Sequence, residues 1–282
     1  MPVGIAVNPA TNLTYVVTFY PDIVDVIGGE AQRVIARIPV RGLRGGVAVD
    51  PVTNRIYVAT NHGVAVISGD TNSVLTTVGT PLGPNGVAVD PVTNRIYATE
   101  SDGMEGGLYV INGATSKLLL TVPFGILPAD AAVDPVANKI YVSDADYSDP
   151  TVYVISGRTD TVIGLVDLPV AEVTGVDTDP ITKRVYALYG GHRLAVISAA
   201  TNKVVAFVRL GSPQDVATDP VTDSIYVSAV NGGGQVSVIN GRTNTVSLNV
   251  PVGSGPGAIA TNPLTNTVYV GNSDATVSII AG

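Results

Sequence analysis

Carboxylates are the side chains in this sequence whose types and spacing suggest chemistry. Asp144, Asp146 and Asp149 stand close together, and Glu100, Asp102 and Glu105 form a second acidic stretch. Oxygen-only ligands suit a hard cation, with Ca2+ as the candidate ion. Asp144-x-Asp-x-x-Asp lacks the glycine and terminal glutamate of an EF-hand loop, so a solvated acidic loop is the competing reading. Three more carboxylates, Asp130, Asp177 and Asp215, interrupt short stretches otherwise built from small and apolar residues. A buried unpaired carboxylate is costly. These three therefore need water around them, or a cation or polar ligand between them.

Basic and imidazole groups are sparse. The chain has two histidines, His62 and His192, far apart in sequence. A shared histidine metal or acid–base site is not expected from them; each reads as a surface residue, and each is a separate candidate for contacting a ligand. Arg193 beside His192, and Arg44 with Arg41, are candidates for holding an anion. There is no cysteine, which excludes disulfides, thiolate metal sites and thiol catalysis. A net charge of −8 with 15 Lys and Arg leaves no basic footprint for nucleic acid. No apolar run approaches the length of a membrane-spanning helix, and no signal peptide is legible at the start of the chain.

The elements that must position these groups come from one phrase, Asp50-Pro51-Val52-Thr53-Asn54-Arg55-Ile56-Tyr57-Val58. Related phrases begin at residues 8, 90, 134, 179, 219 and 262, so seven copies lie 40 to 45 residues apart. Self-similarity at this period signals a repeat architecture. Asp or Asn opens a turn by accepting backbone N–H groups two or three residues on. Pro pre-sets φ, and Asn tolerates the left-handed region at the far end. Ile-Tyr-Val then begins a strand. Each repeat reads as four short strands joined by Gly, Asn, Asp and Pro turns, with no helical periodicity.

A four-stranded sheet apolar on both faces needs a neighbour on each side. Radial stacking supplies both, which predicts an all-β, seven-bladed β-propeller of four-stranded antiparallel blades. The whole of 1–282 is one domain, with repeats starting near residues 1, 43, 84, 128, 172, 212 and 255. Small residues such as Gly86-Val87-Ala88-Val89 place the first strand innermost, at the narrow end of the wedge. The recurring tyrosines, Tyr15, Tyr57, Tyr97, Tyr141, Tyr186, Tyr226 and Tyr269, read as core residues of the second strand. Outer strands are expected at 33–40, 73–78, 117–124, 161–170, 203–210 and 245–252. That is six for seven blades, so the last blade is predicted to have three strands. Its open edge invites self-association, or pairing with a further strand of the same protein.

The recurring Asp-Pro-Val-Thr-Asn-Arg-Ile-Tyr-Val, with Val-x-Val-Ile-(Ser/Asn)-Gly and Thr-Asn-x-Val downstream, resembles the YVTN-family β-propeller repeat. The resemblance covers essentially the whole chain. It implies a seven-bladed propeller of the kind found in archaeal surface-layer proteins and in bacterial secreted or periplasmic proteins. An extracellular, cell-surface or periplasmic location follows from it as an expectation. It carries no shared catalytic motif.

Where the repeats disagree, function is sought. The turns after the first and third strands are nearly uniform and share one face of the disc. The loops at 18–22, 61–63, 100–107, 144–150, 190–193, 231–234 and 272–274 vary, as do the connections between blades. One variable face on a repeat protein commonly marks the binding face. The leading expectation is a non-enzymatic binding or scaffold propeller that contacts a protein or glycan through this face. The alternative is an enzyme of lyase, lactonase or quinoprotein type with its site at the channel mouth, since seven-bladed propellers host such activities too.

Overall fold

The computed structural model describes residues 1–101, 103–169 and 171–281. Seven antiparallel sheets follow one another along the chain, six of four strands and a last one of three. Blade one comprises Pro2–Asn8, Leu13–Thr18, Ile23–Gly28 and Arg33–Pro39, paired in chain order. The inner strands of blades two to seven are Leu43–Asp50, Val87–Asp90, Pro128–Asp134, Val173–Asp179, Pro213–Asp219 and Pro256–Asn262. A single 3-10 turn, Asn231–Gly233, sits in a loop of blade six and is the one helical element among the described residues. No helix of the described residues is long and apolar enough to cross a membrane.

The repeated phrase does locally what its residues dictate. Asp50 Oδ1 accepts the Val52 and Thr53 N–H groups at 2.9 and 3.3 Å, and its Oδ2 accepts the Thr53 hydroxyl at 2.8 Å. Asp90 makes the same three bonds. The fifth residue of every copy has positive φ: Asn12, Asn54, Asn94, Asn138, Lys183, Asp223 and Asn266, all between 50° and 56°. Asn and Asp tolerate this region best among residues with a side chain.

The core lies in seven layers, each between two blades. Tyr57, Val64, Val66 and Val78 of blade two, for example, pack against Val87, Ile96 and Tyr109 of blade three. The seven phrase tyrosines are all buried, and each belongs to the layer its blade shares with the next. Tyr269 of blade seven meets Ile5, Val16 and Ile27 of blade one, which closes the ring. Asn262 Nδ2 also donates to Asn12 Oδ1 across this closure, at 2.9 Å.

The basic residue of the phrase ties neighbouring blades together on the uniform face. Arg55 Nη1 donates to the Gly113 carbonyl of blade three at 2.6 Å. Arg95 reaches the Gly157 carbonyl and the Asp160 carboxylate of blade four, the latter at 2.6 Å. Lys139 Nζ donates to the Ala199 carbonyl of blade five at 2.8 Å. Such a charge-assisted bond to a half-buried partner is stronger than a neutral one.

Candidate functional site

The inner strands enclose a channel of about 710 Å3, and Asp130, Asp177 and Asp215 line it. The structure gives each carboxylate a job. Asp130 Oδ1 accepts the N–H of Ala131 at 2.9 Å, and its Oδ2 accepts the N–H of Val176 in blade five at 3.3 Å. Asp177 accepts from Thr178 at 2.8 Å and from Thr218 of blade six at 2.7 Å. Asp215 accepts from Val216 at 2.8 Å and from Ile259 of blade seven at 3.0 Å. The donors belong to inner strands, which pair with another strand on one side only. A carboxylate bridging two such donors therefore staples blade to blade while satisfying groups no strand can reach.

Hydroxyls run the opposite way. Thr178 Oγ1 donates to the Val133 carbonyl, Thr218 to Thr178 and Thr261 to Thr218, at 2.9, 2.9 and 2.6 Å. Blades four to seven are thus laced at the channel by alternating acceptors and donors. Blades one to three have Gly4, Gly46 and Gly86 at the position of Asp130. A Cβ there would run into the Gly45, Asn85 and Ala129 carbonyl oxygens of the following blade. Close backbone approach replaces the carboxylate staple in that half of the ring, with the Thr99 hydroxyl accepting the Gly86 N–H and donating to the Ala129 carbonyl of blade four at 2.8 and 3.0 Å.

Burial dominates the electrostatics of the three carboxyls. It pushes Asp130 up to about 6, against the two N–H bonds, which favour the anion. Asp177 is likewise raised to about 6 by burial, opposed by its hydrogen bonds, with the Asp130 charge adding to the rise. Asp215 is raised furthest, to about 8, by burial and then by the Asp130 charge, with Asp177 contributing less. Each side chain meets solvent only through the channel, so protein surrounds it on most sides.

A second cavity, of about 560 Å3, opens on the variable face where blades four and five meet. It is lined by Tyr147 from a loop of blade four, by Glu172 from the connection between the blades, and by Tyr189, His192, Arg193, Phe207 and Arg209 of blade five. Tyr189 is buried, while Tyr147 and Phe207 are 66% and 49% exposed. The Tyr189 and Phe207 ring centroids are 5.5 Å apart. The Arg193 guanidinium lies 5.7 Å from the Tyr189 ring centroid and donates to its hydroxyl at 3.1 Å. Gly190 and Gly191, at φ 60° and 64°, turn the chain between the second and third strands of blade five. Two successive left-handed residues suit the tight hairpin there.

The other sequence candidates do not converge. Asp144 is buried, and its carboxylate accepts the N–H groups of Ile126, Leu127 and Asp146 at 3.1, 3.0 and 2.9 Å. Asp146 accepts the Ser148 N–H and hydroxyl, and Asp149 the Thr151 hydroxyl. These three form the loop rather than a shared cage. Among the described residues no three acidic or histidine side chains are grouped to hold a metal ion. Asp102 lies outside the described residues. His62 is exposed on blade two, remote from the blade-five loop of His192. Arg44 stands at the channel mouth, where its guanidinium donates to Asn85 Oδ1 at 2.7 Å and to Asn61 Oδ1 at 3.5 Å. Of the candidates, the structure thus brings together Asp130, Asp177 and Asp215 around the channel, and His192 with Arg193 at the second cavity.

Sequence reasoning missed Tyr147, Glu172, Tyr189, Phe207 and Arg209. A signal was there. Tyr189 stands where the other repeats carry Thr18, Thr60, Glu100, Asp144, Ala229 and Asn272, and Arg209 stands where four of the other five outer strands end in Pro or Gly.

Neither a family model nor a curated protein matches this sequence. Among solved structures, one titled Kuenenia stuttgartiensis hydrazine synthase superimposes with a TM-score of 0.90 over 100% of this chain and 95% of that chain. The two are 16% identical. The likeness establishes the fold alone.

Proposed function

We propose that this propeller is a non-enzymatic binding or scaffold module whose variable face contacts a protein or glycan. The observation that carries the reading is the aromatic and basic cavity between blades four and five. It lies on the face where the repeats diverge, and apart from the buried Tyr189 its aromatic and charged side chains are exposed ones that packing does not require. Concave sites with a few convergent polar groups are where ligands commonly bind. The resemblance of the repeat to YVTN propellers supports a cell-surface, periplasmic or otherwise extracellular setting. The open edge of blade seven supports lateral association with another strand.

The enzyme alternative would draw on Asp215, raised to about 8 and so poised as a general acid near neutral pH. Both its oxygens already receive backbone N–H groups that link blades six and seven, which favours a structural role.

The test is a screen of the purified chain against a glycan array and a panel of envelope proteins. Binding is expected, and Tyr147→Ala with Phe207→Ala should remove it while the melting temperature holds. The reading falls if nothing is bound, or if binding survives those changes and is lost on altering the uniform face at Val92 and Val136.

A further inference from the structure

The cavity between blades four and five contains a feature that works against the stability of the empty protein. Arg193 and Arg209 are direct cross-strand partners in the register of the third and outer strands of blade five. The equivalent pairs in the other four-stranded blades are Ile23 with Pro39, Gly63 with Gly79, Gly107 with Pro123, Thr151 with Asp167, and Gln235 with Pro251. Like charges directly opposite one another are destabilising in a sheet. Among the described residues the Arg209 side chain makes no hydrogen bond or ion pair, and the Arg193 guanidinium donates only to the Tyr189 hydroxyl. In a chain of net charge −8, this is a local positive site with unused donors.

We propose that this cavity binds an acidic sugar, with its carboxylate held between Arg193 and Arg209 and its ring against Phe207 and Tyr147. The proposal deepens the binding reading above and rests on it. A guanidinium presents a planar fork of donors that matches a carboxylate, and two of them facing one anion turn mutual repulsion into attraction. The half-exposed Phe207 and Tyr147 rings offer flat apolar platforms for the C–H face of a pyranose. Glu172 and His192, also in the lining, supply acceptors and donors for ring hydroxyls. A volume of about 560 Å3 fits a ligand of one to a few sugar units. An acidic peptide satisfies the arginines but leaves the two aromatic platforms without a ring to stack on.

Isothermal titration of the full chain with tetragalacturonate, neutral maltotetraose and hexaglutamate distinguishes the cases. Tetragalacturonate should bind at least about tenfold more tightly than either of the others, the factor expected for one charge-assisted contact. Arg209→Gln, Arg193→Gln and Phe207→Ala should each weaken it by about tenfold or more. Arg209→Gln should also leave the melting temperature of the unliganded protein unchanged or higher, which a residue conserving the fold would not do. Equal binding of maltotetraose overturns the role of the arginines. Equal binding of hexaglutamate, insensitive to Phe207→Ala, overturns the sugar in favour of an acidic peptide. If none of the three probes binds while the glycan and protein screen finds a ligand on the variable face, this assignment fails and the broader reading stands. If the screen is also blank, both fail.

Discussion

At Asp215 two effects of opposite sign act on one carboxyl. Backbone N–H groups at 2.8 and 3.0 Å favour the anion, while burial and the Asp130 charge favour the acid, and the acid wins. The consequence for stability has a definite sign. A carboxyl raised above its unfolded value near 3.8 holds its proton more tightly in the folded chain. Its contribution is complete below about pH 4 and is lost as pH rises through about 6 for Asp130 and Asp177 and about 8 for Asp215. Asn resembles the protonated form and does not titrate. The triple variant Asp130→Asn, Asp177→Asn, Asp215→Asn should therefore gain on the wild type as pH is raised from 5 to 9. Melting curves at both ends of that range test it, and parallel pH profiles would show that the carboxyls titrate normally. The phrase tyrosines present a simpler case. Tyr57 is fully buried between blades two and three, so Tyr57→Ala should cost about 3–5 kcal/mol by urea unfolding. Tyr147→Ala, at an exposed ring, should stay within about 0.5 kcal/mol of wild type.

Among the elements, the inner strands show two solutions to one packing problem. Blades one to three bring the next backbone close over a glycine, whereas blades four to seven keep more room and fill it with Asp and Thr staples. The contrast predicts unequal glycines. Gly46→Ala would drive a Cβ into the Asn85 carbonyl and should destabilise by about 1–3 kcal/mol. Gly175→Ala, in ordinary backbone, would meet nothing nearer than Leu188 Cδ1 at 3.6 Å. It should be neutral or gain up to about 1 kcal/mol by restricting the unfolded chain. Chemical denaturation of the two variants side by side decides this, and equal losses would place both halves of the ring in the same regime. The same contrast explains what was legible in the sequence. Phrase, turn and strand are local, so seven blades, the buried tyrosines and the missing outer strand could be read directly. The departure of Asp130, Asp177 and Asp215 from the repeat was visible as well. Their roles were not, because the donors Val176, Thr218 and Ile259 lie a whole repeat away. The second cavity was legible by half for a related reason. His192, Arg193 and Tyr147 fall in loops that comparison of repeats singles out, but Tyr147 belongs to the preceding blade, and Phe207 and Arg209 sit at the end of an outer strand.

On the scale of the whole disc, the ring is closed by side chains rather than by a shared sheet. Blade seven is made of Pro256–Asn262, Thr267–Asn272 and Val277–Ala281, all contiguous, and meets blade one through Tyr269, Ile5, Val16 and Ile27. No strand from the other end of the described chain completes it. In blade two the third strand, Gly63–Ser68, is buried from Gly63 to Ile67 because Ser73–Gly79 covers it. In blade seven Val277, Ser278, Ile279 and Ile280 are only partly covered, and the outer edge of their strand pairs with nothing among the described residues. An unpaired edge with apolar side chains is a template for another strand. The six existing outer strands show what fits: each carries an apolar residue at its sixth position, Ile38, Val78, Val122, Val166, Val208 or Val250, covering the layer beneath. Appending a copy of Thr245–Pro251 to the chain, through a turn like that at residues 240–244, should therefore complete the blade. The melting temperature should rise, and self-association seen by light scattering at high concentration should fall. A synthetic peptide of the same sequence should do both more weakly, because it adds the entropy cost of association to the same strand pairing. Replacing its sixth residue, the counterpart of Val250, by Asp should abolish the gain. An appended strand that changes neither melting temperature nor association would mean that this edge does not accept a strand.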